Sequence, residues 1–394
     1  MAKIIKPAES LFPILNRPSA PTGIARMALE STHADDGHLI EFRALKVRSI
    51  LSRISSKRMV WMAWGINPYR GCEFACRYCY ARYTHEFMAP APGRDSAPQS
   101  GQPDFHDPLT FERLIFLKQN AAWLLEQELR RHHPSNEIAI GTATDPWQPV
   151  ERRARITRSL LEVFARHNGY RIGVVTKSRL ILRDTDVLQE INRRNHLVVH
   201  ITITTPDAKL ARLLEPRAPR PDLRLDTVRR LRNAGLTAGI ICSPLLPGIT
   251  DNAEAIDRMA RHAAEVNASF FAANPLFLKP CSRPTYLSFV REHFPHLVAD
   301  YHRRFDHADF AAKSYARHLS HLVSEARQRH GLNRRWREDP DDLGDDTEPS
   351  DLDFTTPLSS EREPSASSRT VATAIPRKSP SKAGATPQQR RLFA

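Results

Sequence analysis

The chain has 394 residues, of which 41% are hydrophobic, and this length and composition fit one barrel-type domain with tails and a sizeable core. Five cysteines, three of them in one cluster, are too few for a disulfide framework and favour a reducing, cytoplasmic location. We expect no signal peptide and no membrane span, because no stretch approaches the roughly 18 consecutive apolar residues of a span. The net charge of +14 leaves nucleic acid and other polyanions open as partners, because charge governs association and not fold.

The first third of the chain changes character twice. Residues 1–40 mix Pro, Ser, Gly and charge without periodicity, which predicts a flexible N-terminal arm. The short apolar run "RMVWMAWGI" at 58–66 predicts a first strand that leads into "GCEFACRYCYAR" at 71–82. A loop is predicted after residue 88, where Pro, Gly and Ser dominate, and the apolar spacing over 115–131 predicts a helix.

From residue 137 onward, short apolar runs alternate with helical patterns. The predicted strands are 137–143, 170–177, 197–204, 237–245 and 268–276, and the predicted helices are 157–167, 183–194, 221–235 and 251–266. Together with the first strand, this order indicates a parallel sheet covered by helices. Right-handed crossovers would curl six such units into an open, partial barrel with its chemistry on the loops after the strands.

The C-terminal third divides into a helical part and a tail. Residues 283–335 predict a helical extension rich in Arg and His, so that the core domain is expected over 41–335. Residues 336–394 are first acidic, then rich in Pro and Ser, and basic at the end, which predicts a disordered tail.

Three cysteines, Cys72, Cys76 and Cys79, fall within eight positions. A zinc site would need a fourth ligand, which His85 would supply, but structural zinc sites commonly use two separated ligand pairs and no second pair follows. Three ordinary buried thiols are a poor fit to a turn-rich loop. The remaining alternative is an iron–sulfur cluster, in which three thiolates on four irons leave one iron open for a substrate or cofactor.

The spacing C-x3-C-x2-C, with an aromatic residue before the third cysteine, resembles the signature of the radical S-adenosylmethionine (SAM) enzymes. The resemblance covers residues 59–276 and implies a partial (β/α)6 TIM-like barrel. It also implies that Cys72, Cys76 and Cys79 hold a [4Fe-4S] cluster whose open iron binds SAM. In that family an electron from the cluster cleaves SAM to a 5′-deoxyadenosyl radical, which the protein places beside a substrate.

The longer stretch "NPYRGCEFACRYCYAR" at 67–82 is similar to the spore photoproduct lyase branch of that family. This branch carries tyrosines at the positions of Tyr78 and Tyr80, and the residue before the last cysteine contacts adenine in it. The resemblance therefore implies that both tyrosines lie at the cofactor and that Tyr78 stacks on adenine. The alternative for Tyr78 is a packing aromatic in the cysteine loop.

The resemblance extends to the ends of the later strands. It implies that Thr144 and Asp145, after the second strand, contact the cofactor, although Asp145 and Pro146 alone would also make a turn. Lys177, after the third strand, is implied as the partner of the cofactor carboxylate, against the alternative of a solvated strand end.

Two further cofactor contacts are implied beyond the fourth strand. Thr204 is placed to bond the ribose, although Thr is also a common strand residue. Glu215 belongs to a Glu-Pro element that lies near the cofactor in the branch. For Glu215, an ion pair with Arg217 at the surface is an equal alternative.

The sequence departs from the branch at one position. Spore photoproduct lyase uses a cysteine on the second strand as its hydrogen donor, and the corresponding residue here is Thr142. A hydroxyl is a far poorer hydrogen-atom donor than a thiol, which puts thymine-dimer repair by that mechanism in doubt. Cys242 and Cys281 are the substitutes to consider, with a structural thiol as the favoured interpretation of each.

The sequence predicts a radical SAM enzyme of unknown substrate, with DNA or RNA as one class. In that case Arg152, Arg153 and Arg155 are candidate phosphate contacts, with a solvated helix start as the equal alternative. We expect a monomer, no membrane association and an external electron donor such as a flavodoxin or ferredoxin. The alternative function is a zinc-bearing nucleic-acid-binding protein without enzymatic activity, with His85 as the fourth ligand.

Overall fold

A sheet of seven strands forms the centre of the protein, whose computed structural model describes residues 40–54, 62–88, 103–131 and 137–332. The predicted arm over 1–40 lies outside these residues except for its last position, and the predicted tail over 336–394 lies wholly outside them. The predicted loop over 89–107 is likewise outside them except for residues 103–107.

Within the described residues the strands are numbered in chain order. They are β1 (Glu41–Leu45), β2 (Ser52–Arg53), β3 (Met62–Ile66), β4 (Tyr69–Arg70), β5 (Leu114–Lys118), β6 (Glu137–Ile140), β7 (Arg171–Thr176), β8 (His196–Thr202), β9 (Thr237–Leu245) and β10 (Phe271–Pro275).

The α-helices are numbered in the same way. They are α1 (Tyr83–Glu86), α2 (Thr110–Arg113), α3 (Ala121–Arg131), α4 (Glu151–Ala154), α5 (Ile156–Arg166), α6 (Thr185–Arg194), α7 (Ala208–Leu214), α8 (Pro221–Asn233), α9 (Ala253–Glu265), α10 (Arg283–His293), α11 (Val298–Phe305) and α12 (Lys313–Arg329).

The large sheet has the strand order β10-β9-β8-β7-β6-β3-β2. Every pair from β3 to β10 is parallel, and the two-residue strand β2 closes one edge in the antiparallel direction. The six parallel strands follow one another in chain order with helices between them, which confirms the predicted partial (β/α)6 barrel. Because all six run the same way, their C-terminal ends meet at one mouth, where the loops carry the predicted site residues.

A second, three-stranded sheet of order β1-β5-β4 lies beside the barrel. It contains a correction to the sequence analysis, which predicted one helix over 115–131. Leu114–Lys118 is instead the strand β5, parallel to β1 and antiparallel to β4, and the helix begins only at Ala121. All five residues of β5 are buried, and a short run that is apolar on both faces does not reveal its period.

Two apolar clusters hold the fold together. The larger one packs alternate residues of the parallel strands, such as Ile172 and Val174 of β7, against the surrounding helices. The smaller one joins the cysteine loop to α10 and α11 through fully buried side chains that include Tyr286, Tyr301 and Phe305. The predicted helical extension after residue 283 is confirmed, and its first two helices support the loop that bears the cysteines.

No helix in the described parts of the chain has the length and apolar character needed to cross a membrane.

His200 of β8 is a polar residue on the inner side of the sheet. Its side chain is 6% exposed, its ring centroid lies 5.0 Å from that of Phe270, and among the described residues its Nδ1 atom has no hydrogen-bond partner. Burial lowers the pKa of His200 from 6.5 to about 4. The folded protein therefore holds this imidazole neutral at a pH where the unfolded chain would protonate it.

We expect a His200→Leu variant to lose less stability in acid than the parent protein. Between pH 6.5 and pH 4 the unfolded chain binds the extra proton, so that the stability of the parent falls as the pH is lowered through this window. From pH 7 to pH 5 the parent should lose about 2 kcal/mol more than the variant, as measured by urea unfolding at both pH values. Equal losses in the two proteins would contradict a neutral, buried His200.

Candidate active site

The three cysteines lie on a loop between β4 and the short 3-10 helix Tyr80–Arg82, at the mouth of the barrel. Strand β4 anchors the loop, because Tyr69 and Arg70 pair with Leu117 and Phe116 of β5. The backbone N–H of Cys72 then donates to the carbonyl of Phe111 at 3.0 Å. The second sheet thus holds the start of the cysteine loop, residues 71–82, in place.

Gly71 allows the chain to leave β4 and enter the cysteine loop. Its φ is +83°, and a Cβ atom there would lie 2.6 Å from the carbonyl oxygen of Leu114 and 2.8 Å from that of Phe111. Both contacts are with backbone, which cannot move without disturbing β5 and α2. A side chain at this position is therefore excluded by space as well as by conformation.

The cysteine sulfurs are in an environment that suits thiolate ligands. Backbone N–H groups of Phe74 and Asp145 donate to the Cys72 sulfur, and the N–H of Ala81 donates to the Cys79 sulfur. Burial raises the pKa of all three thiols, and that of Cys76 to about 12. The protein alone therefore keeps the thiols protonated, and a bound metal is what would displace their protons.

Buried polar contacts fix the rest of the cysteine loop. Arg82, 2% exposed, donates to the carbonyl of Cys76 at 3.1 Å and pairs with Glu112 at 2.7 Å. The Ser282 hydroxyl donates to the carbonyl of Cys79 at 2.6 Å. Side chains from outside the loop and from its end therefore fix the backbone carbonyl groups of Cys76 and Cys79.

Behind the loop, four of the predicted cofactor residues form one network. The Tyr78 hydroxyl donates to a carboxylate oxygen of Glu215 and lies 2.9 Å from the hydroxyl of Thr204. The Nζ atom of Lys177 lies 4.0 Å from Glu215 and 5.9 Å from the centre of the Tyr78 ring. The closest charged partner of Glu215 is Arg224 of α8, at 2.5 Å.

The charges of this network support one another. Burial alone would raise the pKa of Glu215, but Arg224 and Lys177 outweigh it, and the pKa lies below its ordinary value. Burial alone would lower the pKa of Lys177, but the facing Cys76 and Glu215 groups raise it. Burial, and after it the Glu215 charge, raises the pKa of Tyr78. The network therefore contains an ionised carboxylate, a protonated lysine and a neutral phenol.

Asp145 is held by three groups of the protein. Its carboxylate accepts the Trp147 N–H at 2.9 Å, the Thr176 hydroxyl at 2.7 Å and the Lys177 N–H at 2.7 Å. Both oxygens are thus used to tie the loop after β6 to the end of β7. Thr144 lies beside the start of the cysteine loop, with its hydroxyl 3.4 Å from the carbonyl of Tyr69.

Tyr80 packs at the edge of the site. Its hydroxyl donates to the carbonyl of Thr142, and its ring centroid lies 4.7 Å from that of Phe277. Burial raises the pKa of Tyr80, with Cys79 as the next cause. In this arrangement Tyr80 attaches the cysteine loop to the end of β6, and Thr142 is engaged through its backbone.

The two remaining cysteines lie in different surroundings. Cys242 is 3% exposed, packs in the larger apolar cluster and donates to the carbonyl of Thr204 at 3.3 Å. Cys281 is half-buried and adjacent to Ser282, which contacts the cysteine loop. Cys242 therefore has a structural contact, whereas Cys281 lies near Cys79.

Several residues that build the site could not be singled out from the sequence. Arg224 is 1% exposed, yet it stands in an Arg-rich helix where nothing in the sequence separates it from surface arginines. Gln148 is fully buried and contacts the loop twice, accepting the Glu73 N–H at 2.8 Å and donating to the Gly71 carbonyl at 3.3 Å. Its position two residues after Pro146, close to the predicted cofactor residues Thr144 and Asp145, was the available signal.

The fold and the site together define a partial β/α barrel with a candidate metal-binding cysteine loop at its mouth. The family model of the radical SAM superfamily matches residues 66–263, and the chain belongs to this superfamily. It is accordingly a radical SAM enzyme, and the members of this superfamily use SAM together with an iron–sulfur cluster.

Uncharacterized proteins from other organisms are similar to this chain in sequence. An uncharacterized protein of Mycobacterium tuberculosis is 29% identical over 304 residues, which span 77% of this chain and 85% of that protein. An uncharacterized protein of Methanocaldococcus jannaschii is 25% identical over 186 residues, or 47% of this chain and 61% of that protein.

The fold is similar to that of spore photoproduct lyase. A mutant of that enzyme with dinucleoside spore photoproduct matches with a TM-score of 0.51 at 14% sequence identity, covering 73% of this chain and 79% of the other. A second mutant, with bound AdoMet and dinucleoside spore photoproduct, matches with a TM-score of 0.50 at 15% identity over the same shares. At these identities the likeness shows the fold alone.

The alternative of a non-enzymatic zinc protein is wrong, because the chain belongs to an enzyme superfamily. The surroundings of His85 also argue against its role as a fourth metal ligand. The His85 ring packs against Phe105, Phe111 and Phe116, and its Nε2 atom lies 3.2 Å from the carbonyl of Leu114. In the described parts of the chain, no three His, Cys, Asp or Glu side chains converge to hold a single metal ion.

A Gly71→Ala variant should destabilise the protein more than a Gly235→Ala variant. Both glycines have positive φ, +83° and +79°, so both variants carry the same backbone strain of roughly 1–2 kcal/mol. Only at Gly71 does the new Cβ atom also collide with backbone, since nothing lies within 4 Å of it at Gly235. Thermal unfolding of both variants measures the difference, and equal losses would show that the cysteine loop tolerates the side chain.

Proposed function

We propose that Cys72, Cys76 and Cys79 hold a [4Fe-4S] cluster and that SAM binds between this cluster and the network of Tyr78, Lys177, Thr204 and Glu215. One observation carries the proposal. Three sulfurs, two of which receive backbone N–H groups, lie on the same barrel mouth as a half-buried lysine whose pKa is raised by Cys76 and Glu215. N–H groups at a sulfur stabilise the thiolate, and hydrogen bonds to the sulfurs tune iron–sulfur clusters.

The residues present fit a cluster better than a single ion. Each iron of a [4Fe-4S] cluster takes its own thiolate, so the sulfurs stand further apart than around one metal ion, and three thiolates leave one iron for another ligand. When bound, the cluster supplies one electron that cleaves the sulfonium C–S bond of SAM into methionine and a 5′-deoxyadenosyl radical. The chain itself binds and orients the two groups and excludes water from them.

Lys177 is suited to bind the carboxylate of SAM. Glu215 is paired with Arg224 at 2.5 Å, whereas its distance to Lys177 is 4.0 Å. Lys177 is therefore the looser partner of Glu215, and its ammonium group can turn to an incoming carboxylate without leaving Glu215 unpaired. Such charge-assisted hydrogen bonds are stronger than neutral ones.

Tyr78, Thr204 and Glu215 are suited to bind the nucleoside part of SAM. The Tyr78 ring offers a flat apolar face for adenine. The Thr204 hydroxyl and the Glu215 carboxylate lie 3.1 Å apart and together offer a donor and an acceptor for the ribose hydroxyls. Thr144, Asp145 and Tyr80 act in this proposal as supports, because they tie the loop after β6 to the start of the cysteine loop, to the end of β7 and to the cysteine loop itself.

Nucleic acid is the substrate class that we propose to test first. The net charge of +14 and the fold likeness to a spore photoproduct lyase bound to a dinucleoside spore photoproduct support it. The reaction outcome should differ from that of the lyase, because Thr142 stands at the position of its hydrogen-donating cysteine. The core over residues 41–335 is the proposed catalytic unit.

Reduced protein should cleave SAM, and a Cys76→Ala variant should not. The protein is reconstituted anaerobically with iron and sulfide, reduced with dithionite and mixed with SAM, and 5′-deoxyadenosine is measured by chromatography. A Cys242→Ala variant is the matched control, because it removes another buried thiol and should leave cleavage intact. Absence of cleavage by the parent, together with one zinc and no iron per chain, would refute the proposal.

A Lys177→Met variant should bind SAM about tenfold more weakly or worse, because it loses a charge-assisted contact worth at least roughly 1.4 kcal/mol. Its iron content should remain that of the parent, since Lys177 is not a ligand. Equilibrium dialysis with labelled SAM measures the affinity, and Lys209→Met, an exposed lysine on α7 at the same mouth, is the control. Unchanged affinity with full iron content would remove Lys177 from the SAM site.

A further inference from the structure

A basin rich in arginine lies next to the cysteine loop. It has a volume of about 330 Å³, and its lining includes Arg152, Arg179, Arg212, Arg217 and Arg220 but, among the described residues, no aspartate or glutamate. Four of these arginines are exposed, and Arg217 is half-buried. Their loops follow β6, β7 and β8, so the basin is built by the same mouth of the barrel that carries the candidate active site.

The cysteine loop forms the floor of this basin. Phe74, which stands between Cys72 and Cys76, lines it directly. The Arg217 N–H donates to the carbonyl of Phe74 at 3.4 Å, and its guanidinium lies 3.4 Å from the carbonyl of Glu73. A partner seated in the basin would thus contact the loop that carries the sulfurs.

The basin and the proposed SAM site are built by different residues. The lining of the basin contains none of the residues proposed to bind SAM, although Ser178 follows Lys177 directly. A substrate must meet the radical beside Tyr78, Lys177 and Thr204. The basin is therefore not where the substrate would react, but Phe74 places it next to the loop that carries the sulfurs.

We propose that the basin is the docking surface for an acidic one-electron carrier protein that reduces the cluster. The inference rests on the proposed function, because SAM cleavage consumes one electron in each turn. The carrier is oxidised by one electron, which passes through the cysteine loop to the cluster. Opposite charges steer such partners together, and redox complexes use small, weak interfaces, so one basin with five arginines is a suitable size.

Charge complementarity selects this occupant. Five guanidinium groups surround one concavity. Arg220 is paired with Asp222 at 2.9 Å and Arg179 lies 3.9 Å from Asp226, but the five arginines outnumber these two carboxylates, and the excess positive charge matches a patch of carboxylates on the partner.

Nucleic acid would instead need basic residues along a track that follows its backbone. Of the three arginines predicted as phosphate contacts, only Arg152 lines the basin, while Arg153 lies over the ring of Phe42 at 6.0 Å and Arg155 is exposed elsewhere.

The test compares the parent protein with an Arg152→Glu/Arg179→Glu double variant, using flavodoxin as the probe. Neither residue contacts the cysteine loop or the residues proposed to bind SAM, so the fold and the proposed SAM site should be preserved. The matched control is Arg171→Glu, an exposed arginine at the first residue of β7 and hence at the opposite end of the barrel. Two quantities are measured: the Kd for oxidised flavodoxin, with its salt dependence, and SAM cleavage driven either by reduced flavodoxin or by dithionite.

The double variant should bind flavodoxin roughly tenfold more weakly or worse, lose most of the salt dependence of binding and lose cleavage driven by flavodoxin. Its cleavage driven by dithionite should equal that of the parent, because this small reductant needs no docking surface. The Arg171→Glu variant should match the parent in every measurement. Absence of dithionite-driven cleavage in the parent would refute the proposed function itself, which separates that failure from failure of the docking surface.

Two outcomes would overturn the docking surface. In the first, the double variant binds flavodoxin and accepts its electrons as the parent does. In the second, the double variant retains flavodoxin binding but loses affinity for a single-stranded oligonucleotide, which would assign the basin to phosphate groups.

Discussion

The buried carboxylate of Glu215 sets a constraint on which the whole barrel mouth depends. An ionised carboxylate that is 2% exposed must be paired, because an isolated buried charge is too costly in free energy. Its partners arrive on separate elements: Arg224 on α8, Tyr78 on the cysteine loop and Lys177 at the end of β7. Pairing this one charge therefore fixes the loop that carries the sulfurs against the strands that form the barrel.

Contacts at both ends of the cysteine loop fix its conformation. On one side, β4 and β5 hold its start, and Gly71 permits a turn that no other residue could make there. On the other side, the helices after residue 283 and the loop after β6 bury its apolar and polar groups. Tyr78 of this loop contacts the residues proposed to bind SAM, and Phe74 of the same loop lines the arginine-rich basin.

The parallel barrel could be predicted from the sequence because its strands are short apolar runs separated by amphipathic helices, and all six were expected. Strand β5 could not, since a run that is buried on both faces and continues into a helix carries no period of its own. The cysteines, Tyr78, Lys177, Thr204 and Glu215 came from resemblance to a family, and the structure places them together. Arg224 was missed because the sequence of a helix with several arginines does not show which of them is buried. Only the tertiary structure shows that Arg224 is.

The hydrogen bonds among Tyr78, Thr204 and Glu215 affect which ligands the site can select. Tyr78, Thr204 and Glu215 already satisfy one another before any ligand arrives, so a ligand must exchange existing bonds instead of filling unpaired ones. Exchange gives little net affinity for each polar contact. A nucleoside held by these three residues alone would bind weakly, and discrimination between SAM and other adenosine compounds must come from the methionine end of the molecule.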